Sequence, residues 1–268
     1  MFSIGRSSYY AWLIRKPSKR QRANENLDNK ISNIFRENFN RYGSPRIKDE
    51  LLERGETCSK NRVARRMRHL GLRAKAKRKF KVTTDSVHNL PVAPNLLNRD
   101  FTATAPNQKW VGDISYVWTE EGWLYMAVII DLYSRAVIGW SIQSTMSRDL
   151  VCDALMMALW RRGFPKGVLC HSDRGSQYCS HDYQKILKHY GLICSMSRKG
   201  NCWDNSVAES FFHTIKTELI YNNRYVTREI AKQSIFHYIE TYYNRIRRHS
   251  TIGSISPEKF EYQWRMFA

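Results

Sequence analysis

Long apolar runs are missing from this sequence of 268 residues. Stretches such as LYMAVII (124–130) and ALMMALW (154–160) fall far short of the ~20 residues a helix needs to cross a bilayer. Clustered metal ligands are missing too. The six cysteines (Cys58, Cys152, Cys170, Cys179, Cys194 and Cys202) show no C-x-x-C spacing, and the histidines lie scattered among them, which excludes a legible zinc site. No secretory apolar segment follows Met1, so the thiols are expected to be reduced, in a cytosolic protein. Acidic residues are scarce: 24 Asp and Glu stand against 44 Lys and Arg, a net charge of +20. So basic a chain points to a polyanionic partner. Apolar content is ordinary at 42%, which excludes wholesale disorder.

The charge is unevenly spread. Residues 1–80 hold 22 basic and 7 acidic side chains, +15 of the +20. Leu27, Ile31, Ile34 and Phe35 give residues 18–40 the period of an amphipathic helix. YGSPRIKDELLERG (42–55) predicts a second helix, with Ser44 as its cap, Pro45 at the first helical position and Gly55 ending it. SKNRVARRMRHLG (59–71) predicts a third, with Val63, Met67 and Leu70 on one face and Arg62, Arg65, Arg66 and His69 on another. Two short helices, the second basic, fit a helix-turn-helix with Arg62, Arg65 and Arg66 facing DNA. A helical bundle whose arginines are merely solvated is the competing reading. RAKAKRKFK (73–81) adds Lys75, Lys77, Arg78 and Lys79 as candidate DNA contacts. Residues 81–105 lose periodicity and contain Pro91 and Pro94, which reads as a linker.

From residue 106 the texture changes. KWVGDISYVW, WLYMAVIIDL and RAVIGWSI read as an antiparallel three-strand meander. A helix (147–163), a buried strand (GVLCHS), a helix (180–191), a strand (LICSMS) and a helix from Ser206 to about Tyr221 follow. The order βββαβαβα predicts an α/β fold, a mixed sheet with helices on its faces, over residues 106–222. Residues 223–268 read as a helical C-terminal extension, and the tyrosines and tryptophans of this half as core.

Three carboxylates fall where such a sheet could bring them together. Asp113 lies mid-strand among apolar residues, Asp173 follows the fourth strand, and Glu209 begins the long helix, with 35 residues between it and Asp173. Converging carboxylates suit hard divalent cations, which activate an attacking oxygen and stabilise a leaving one in phosphoryl chemistry. Other readings stay open: an Asx turn at Asp173 and a capping box from Ser206 to Glu209. Asp113 is the hardest to explain otherwise, because Asp is disfavoured in strands. Asp131 fits a strand end opening a turn, Asp204 a helix cap, and His171 either packing or support for Asp173.

The residues also carry a family likeness. WVGDISY (110–116), HSDRGSQY (171–178) and KGNCWDNSVAESFF (199–212) resemble the integrase core of bacterial transposases of the insertion-sequence-three family, second-frame product. YNRIRRHSTIGSISPEKF (243–260) resembles that family's C-terminal signature, with Ile252 where Leu is usual, and YYAW…RYGSPRI its helix-turn-helix region. The resemblance implies a ribonuclease H-like fold with Asp113, Asp173 and Glu209 as a D-D-(35)-E triad holding Mg²⁺, with Mn²⁺ as substitute and two ions expected. It implies cleavage at the ends of an insertion sequence, then attack by the freed 3′-hydroxyl. The implied partners are double-stranded DNA, as terminal inverted repeats and target, and further copies of the chain, as a dimer in a synaptic complex. The implied location is the bacterial cytoplasm, at the nucleoid. The family's basic residue seven positions after the Glu is matched by Lys216, which implies a DNA phosphate contact. Relatives often express this frame fused to an upstream segment, which leaves the form of the active protein open.

Overall fold

Residues 5–74, 90–199 and 201–267 are described by the computed structural model, which divides into two compact units, Met1–Ala76 and Lys77–Ala268. Lys75, Lys77, Arg78 and Lys79 lie outside the described residues.

In the first unit, α2 (Lys19–Glu37), α3 (Ser44–Glu53) and α4 (Lys60–His69) pack on one another. Leu27, Ile31, Ile34 and Phe35 of α2, Ile47 and Leu51 of α3, and Val63 and Met67 of α4 are buried. Each such side chain contributes roughly 1.5–3 kcal/mol over exposure, and this packing holds α3 and α4, which at 10 residues each are too short to be stable alone. Ser18 and Ser59 cap α2 and α4, accepting from the amides of Gln21 (3.1 Å) and Arg62 (3.2 Å). Ser44 does not cap α3. It is the first helical residue, Gly43 is the cap and Pro45 follows in the first turn, where its missing N–H costs no hydrogen bond. A helix that periodicity did not predict, α1 (Arg6–Leu13), buries none of its residues.

The second unit is built on one five-stranded sheet. Its strands are β1 (Lys109–Thr119), β2 (Gly122–Asp131), β3 (Val137–Gln143), β4 (Leu169–Ser172) and β5 (Ile193–Met196), in the order β3-β2-β1-β4-β5. β1 to β3 form the expected antiparallel meander, while β4 runs parallel to β1 and β5 parallel to β4. Trp110, Ala127, Ile129, Ile138 and Cys170 form one core with Leu150, Ala154, Leu155 and Ala158 of α5 (Arg148–Arg162) and Tyr183 and Leu187 of α6 (His181–His189). Gly139 sets how near α5 comes, since a Cβ there would stand 2.1 Å from the Ala154 carbonyl oxygen. Leu124, Met126, Val128 and Ile130 alternate with that set and are also buried, so both faces of the sheet are covered.

Two expectations change here. Of the linker expected at 81–105, residues 81–89 lie outside the described residues, and residues 90–105 are fastened to the sheet. Leu97 is buried, the Leu96 and Leu97 amides donate to Ser195 Oγ (2.9 and 3.2 Å), and the Met196 amide donates to the Pro94 carbonyl (3.3 Å). Of the tryptophans, Trp110 is core, but Trp118, Trp123, Trp160 and Trp203 are exposed.

α7 (Ser206–Glu218) is followed by α8 (Arg228–His237), which continues as a π-helical segment, Tyr238–Tyr243, and after a turn by α9 (Pro257–Phe267). Asn244 accepts from the Val137 amide (2.9 Å) and donates to its carbonyl (3.0 Å), taking the place of a strand neighbour at β3. The C-terminal region is thus bonded to the sheet. Among the described residues no helix is long and apolar enough to cross a membrane.

Candidate active site

Parallel pairing brings the two aspartates together. The last β1–β4 pair is Val111↔His171, and two residues further along the chain from each stand Asp113 and Asp173. Asp113 lies in β1 opposite Val128. Asp173 lies one residue beyond the end of β4, where its Oδ1 accepts from the Gly175 amide (2.9 Å). That is the Asx-type turn expected for SDRG, and it orients the carboxylate instead of excluding a role for it.

Glu209 reaches the same place from α7. The Asp113 carboxyl is held well above the usual carboxylate range, by burial first and then by the charges of Asp173 and Glu209. The Ile114 amide, 2.9 Å from its Oδ1, and the Lys216 ammonium act in the opposite direction. Glu209 is the most exposed of the three acids, and its carboxyl is raised by partial burial. The capping box is not realised. α7 begins at Ser206 itself, and the preceding Asn205 makes no side-chain cap.

Lys216, two turns along α7 from Glu209, is buried, with Nζ 4.8 Å from the centre of the Tyr116 ring. Burial lowers its pKa and the charge of Asp113 counteracts this. Three carboxylates and one ammonium therefore share a single electrostatic site.

The other candidates separate cleanly. His171 is buried with both ring nitrogens beside hydroxyls, Nδ1 2.8 Å from Ser195 Oγ and Nε2 3.1 Å from Ser197 Oγ. Burial lowers its pKa to about 4, so it is neutral and structural. Asp131 ends β2 and accepts from the amides of Asn107 and Tyr133, both 2.8 Å. Asp204 is not a helix cap. Wholly buried, it accepts from Asn95 Nδ2, Arg99 Nε and the Arg198 amide and guanidinium, all at 2.9 Å, and these cations hold its pKa far down. In α4, Arg66 is paired with Asp28 of α2 (Nε–Oδ1 2.7 Å) and Arg62 donates to Asn24 (3.2 Å), while Arg65 is exposed.

Among the described residues no group of three or more His, Cys, Asp or Glu side chains is placed to enclose a metal ion by itself. The donors present are hard carboxylate oxygens, two in matching register and one exposed beside them. That set fits Mg²⁺, which typically takes one or two carboxylates and completes its shell with water and substrate phosphate oxygens. Sequence reading passed over two residues beside the site, Asn205 and Tyr178. Asn205 Nδ2 donates 3.0 Å to the Gly112 carbonyl, and the Tyr178 hydroxyl is buried next to Gly112. Nothing in periodicity marks them, because Asn205 bonds to, and Tyr178 packs beside, a residue distant in the chain.

Comparison with known proteins agrees with this architecture. A family described as Integrase core domain matches residues 103–202, a second of the same description residues 209–264, and one described as HTH-like domain residues 21–80. The transposase InsF for insertion sequence IS3A of Escherichia coli (strain K12) is 51% identical over 260 residues, 96% of this chain and 90% of that protein. A 31 kDa protein of insertion element IS600 from Shigella sonnei is 46% identical over 268 residues, 100% of this chain and 98% of that one. Among solved structures, the simian T-cell lymphotropic virus intasome in complex with PP2A regulatory subunit B56 gamma aligns with a TM-score of 0.51 at 14% identity. The alignment covers 80% of this chain and 70% of that one, and it speaks to fold alone. With half its residues identical to InsF across nearly its whole length, and with an integrase core behind an HTH-like region, the chain belongs to the IS3 family of transposases.

Proposed function

We propose that this transposase binds the terminal inverted repeats of its insertion sequence and catalyses Mg²⁺-dependent strand cleavage and strand transfer, with Asp113, Asp173 and Glu209 as its D-D-(35)-E triad. The observation that carries the proposal is the Asp113 carboxyl, half-buried in the sheet and destabilised as an anion by Asp173 and Glu209. Such an arrangement costs folding free energy, and a cation shared with substrate phosphates would relieve it. A DNA-binding regulator without catalysis would have no use for that cost.

Asp113 of β1 and Asp173 just past the end of β4 would hold the metal, with Glu209 completing the set from α7. When bound, the metal ions would supply Lewis-acid activation of the attacking oxygen and neutralise charge on the leaving one. Mn²⁺, which takes similar oxygen ligands, would substitute. The Lys216 ammonium would contact a phosphate oxygen beside the carboxylates. Neutral His171 moves no proton in this scheme. It braces the β4 end through Ser195 and Ser197. The N-terminal region 1–80, with Arg65, would hold the terminal repeats, while the 106–222 core would carry the strand chemistry. Two ends would be held by two copies of the chain, a dimer acting at the bacterial nucleoid.

Asp113→Asn, Asp173→Asn and Glu209→Gln should each abolish end cleavage and strand transfer, while gel-shift binding to the terminal repeats survives. Near-normal strand transfer by Glu209→Gln would remove Glu209 from the triad.

A further inference from the structure

We infer that Asn205 is a positioning residue for this site: its bond to Gly112 sets the helix that carries Glu209 against the strand that carries Asp113. The inference rests on the carboxylate reading proposed above. Asn205 is 4% exposed, and its Nδ2 donates 3.0 Å to the Gly112 carbonyl. Gly112 stands one residue past the last β1–β4 pair, where β4 no longer covers the edge of β1. A buried carbonyl left alone costs roughly 1–3 kcal/mol, and here a side-chain amide serves it where a strand would otherwise do so.

The chain positions make this bond more than local repair. Gly112 immediately precedes Asp113, and Asn205 immediately precedes α7, about one helical turn before Glu209. One hydrogen bond therefore joins the chain neighbours of two proposed metal ligands that are 96 residues apart. Gly112 is also closely packed. A Cβ there would stand 3.1 Å from Ile129 Cδ1 and 3.4 Å from Tyr178 Oη, so the backbone has little room to drift. Among the described residues, neither Asn205 Oδ1 nor Tyr178 Oη, both buried, has a hydrogen-bond partner. Packing alone would be served better by apolar groups.

The test uses the full chain with Asn205→Ala and Asn205→Asp. The second keeps the shape but sets an acceptor against the carbonyl. Asn244→Ala is the control, since Asn244 makes the same kind of side-chain bond to Val137 backbone without neighbouring any of the three acids. Three quantities are read: the Mg²⁺ concentration for half-maximal strand transfer on pre-cleaved ends, the Tm increase produced by Mn²⁺, and the Tm without metal. Both Asn205 variants should raise the half-saturating Mg²⁺ concentration about tenfold or more, the range for residues that orient metal ligands. They should also shrink the Mn²⁺-induced Tm increase, with metal-free Tm falling no further than in Asn244→Ala. Asn244→Ala should leave the Mg²⁺ requirement unchanged. Should Asn205→Ala fail to fold, Asn205→Asp decides by the same readings. A wild-type Mg²⁺ requirement and Mn²⁺ response in the Asn205 variants overturns the inference. Asp113→Asn, measured alongside, keeps the two readings apart. A Mn²⁺ response that survives Asp113→Asn sinks the carboxylate reading itself, whereas its loss there beside wild-type-like Asn205 variants sinks only the role of Asn205.

Discussion

Lys216 and His171 show how burial sorts titratable side chains around one site. Both are buried, yet His171 is neutral between two serine hydroxyls, whereas Lys216 has the charge of Asp113 and the face of Tyr116 to hold its proton. A buried ammonium is costly, which is why its placement beside these carboxylates is informative. Lys216→Ala should lower strand transfer on pre-cleaved ends by roughly 10- to 100-fold, the worth of one charged hydrogen bond, while Mn²⁺ still raises the Tm. Lys216→Arg should retain much of the activity, although the bulkier guanidinium must fit the same pocket. Wild-type rates in both variants would make Lys216 a structural lysine and nothing more.

At the scale of elements, α7 is gripped at both ends. Its N-terminal end is tied to β1 through Asn205, and the loop before it is tied through Asp204 to Arg198, Arg99 and Asn95. At the far end Glu218, the last residue of the helix, accepts from Arg247 (Nη2 2.8 Å, Nε 3.1 Å) and from the Tyr238 hydroxyl (2.8 Å), all of them buried. Tyr238 opens the π-helical segment, so the widened turn and the ion pair occur together. Removing one member of a buried pair strands the other charge. Arg247→Ala should therefore cost about 3–5 kcal/mol in urea unfolding, and the double change Glu218→Met with Arg247→Met much less than twice that. If the double variant is as unstable as the sum of the single ones, the pair is not acting as a unit.

For the whole molecule, the relevant division is between two units with different charge. Residues 1–80 carry +15 of the net +20, and the HTH-like family match covers 21–80. Deleting residues 1–80 should abolish footprints on the terminal repeats, yet leave a core that still melts cooperatively, because its sheet and helices share their own contacts. The affinity of the full chain for DNA should fall steeply with salt, with a slope of about −0.9 per phosphate neutralised, and the deletion should flatten that slope. An unchanged footprint after the deletion would move end recognition to the second unit, with Arg245 and Arg248 of NRIRRHS (244–250) the first place to look, Arg247 being buried against Glu218.

Patterning along the chain was enough to assign α2 to α4, the five strands and α5 to α7, because amphipathic periodicity and turn residues are local properties. Apolar neighbours around Asp113 were also enough to mark it as a costly residue that needed an explanation. The capping box at Ser206, the cap at Ser44, the linker at 90–105 and the break in the C-terminal helix were decided otherwise. At Ser206 and Ser44 the choice turned on which residue begins the helix, a matter of single-residue register. For 90–105 it turned on Ser195 and Asp204, distant residues that supply partners to a stretch with no periodicity of its own. In the C-terminal helix it turned on the switch from α to π pairing at Tyr238. Sequence alone determined which apolar stripes of the helices and strands had to be buried and that Asp113 was an anomalous acid. Only the tertiary structure decided that Val111 pairs with His171, and so that Asp113 and Asp173 stand at matching positions, because strand register is fixed by contacts between segments about sixty residues apart.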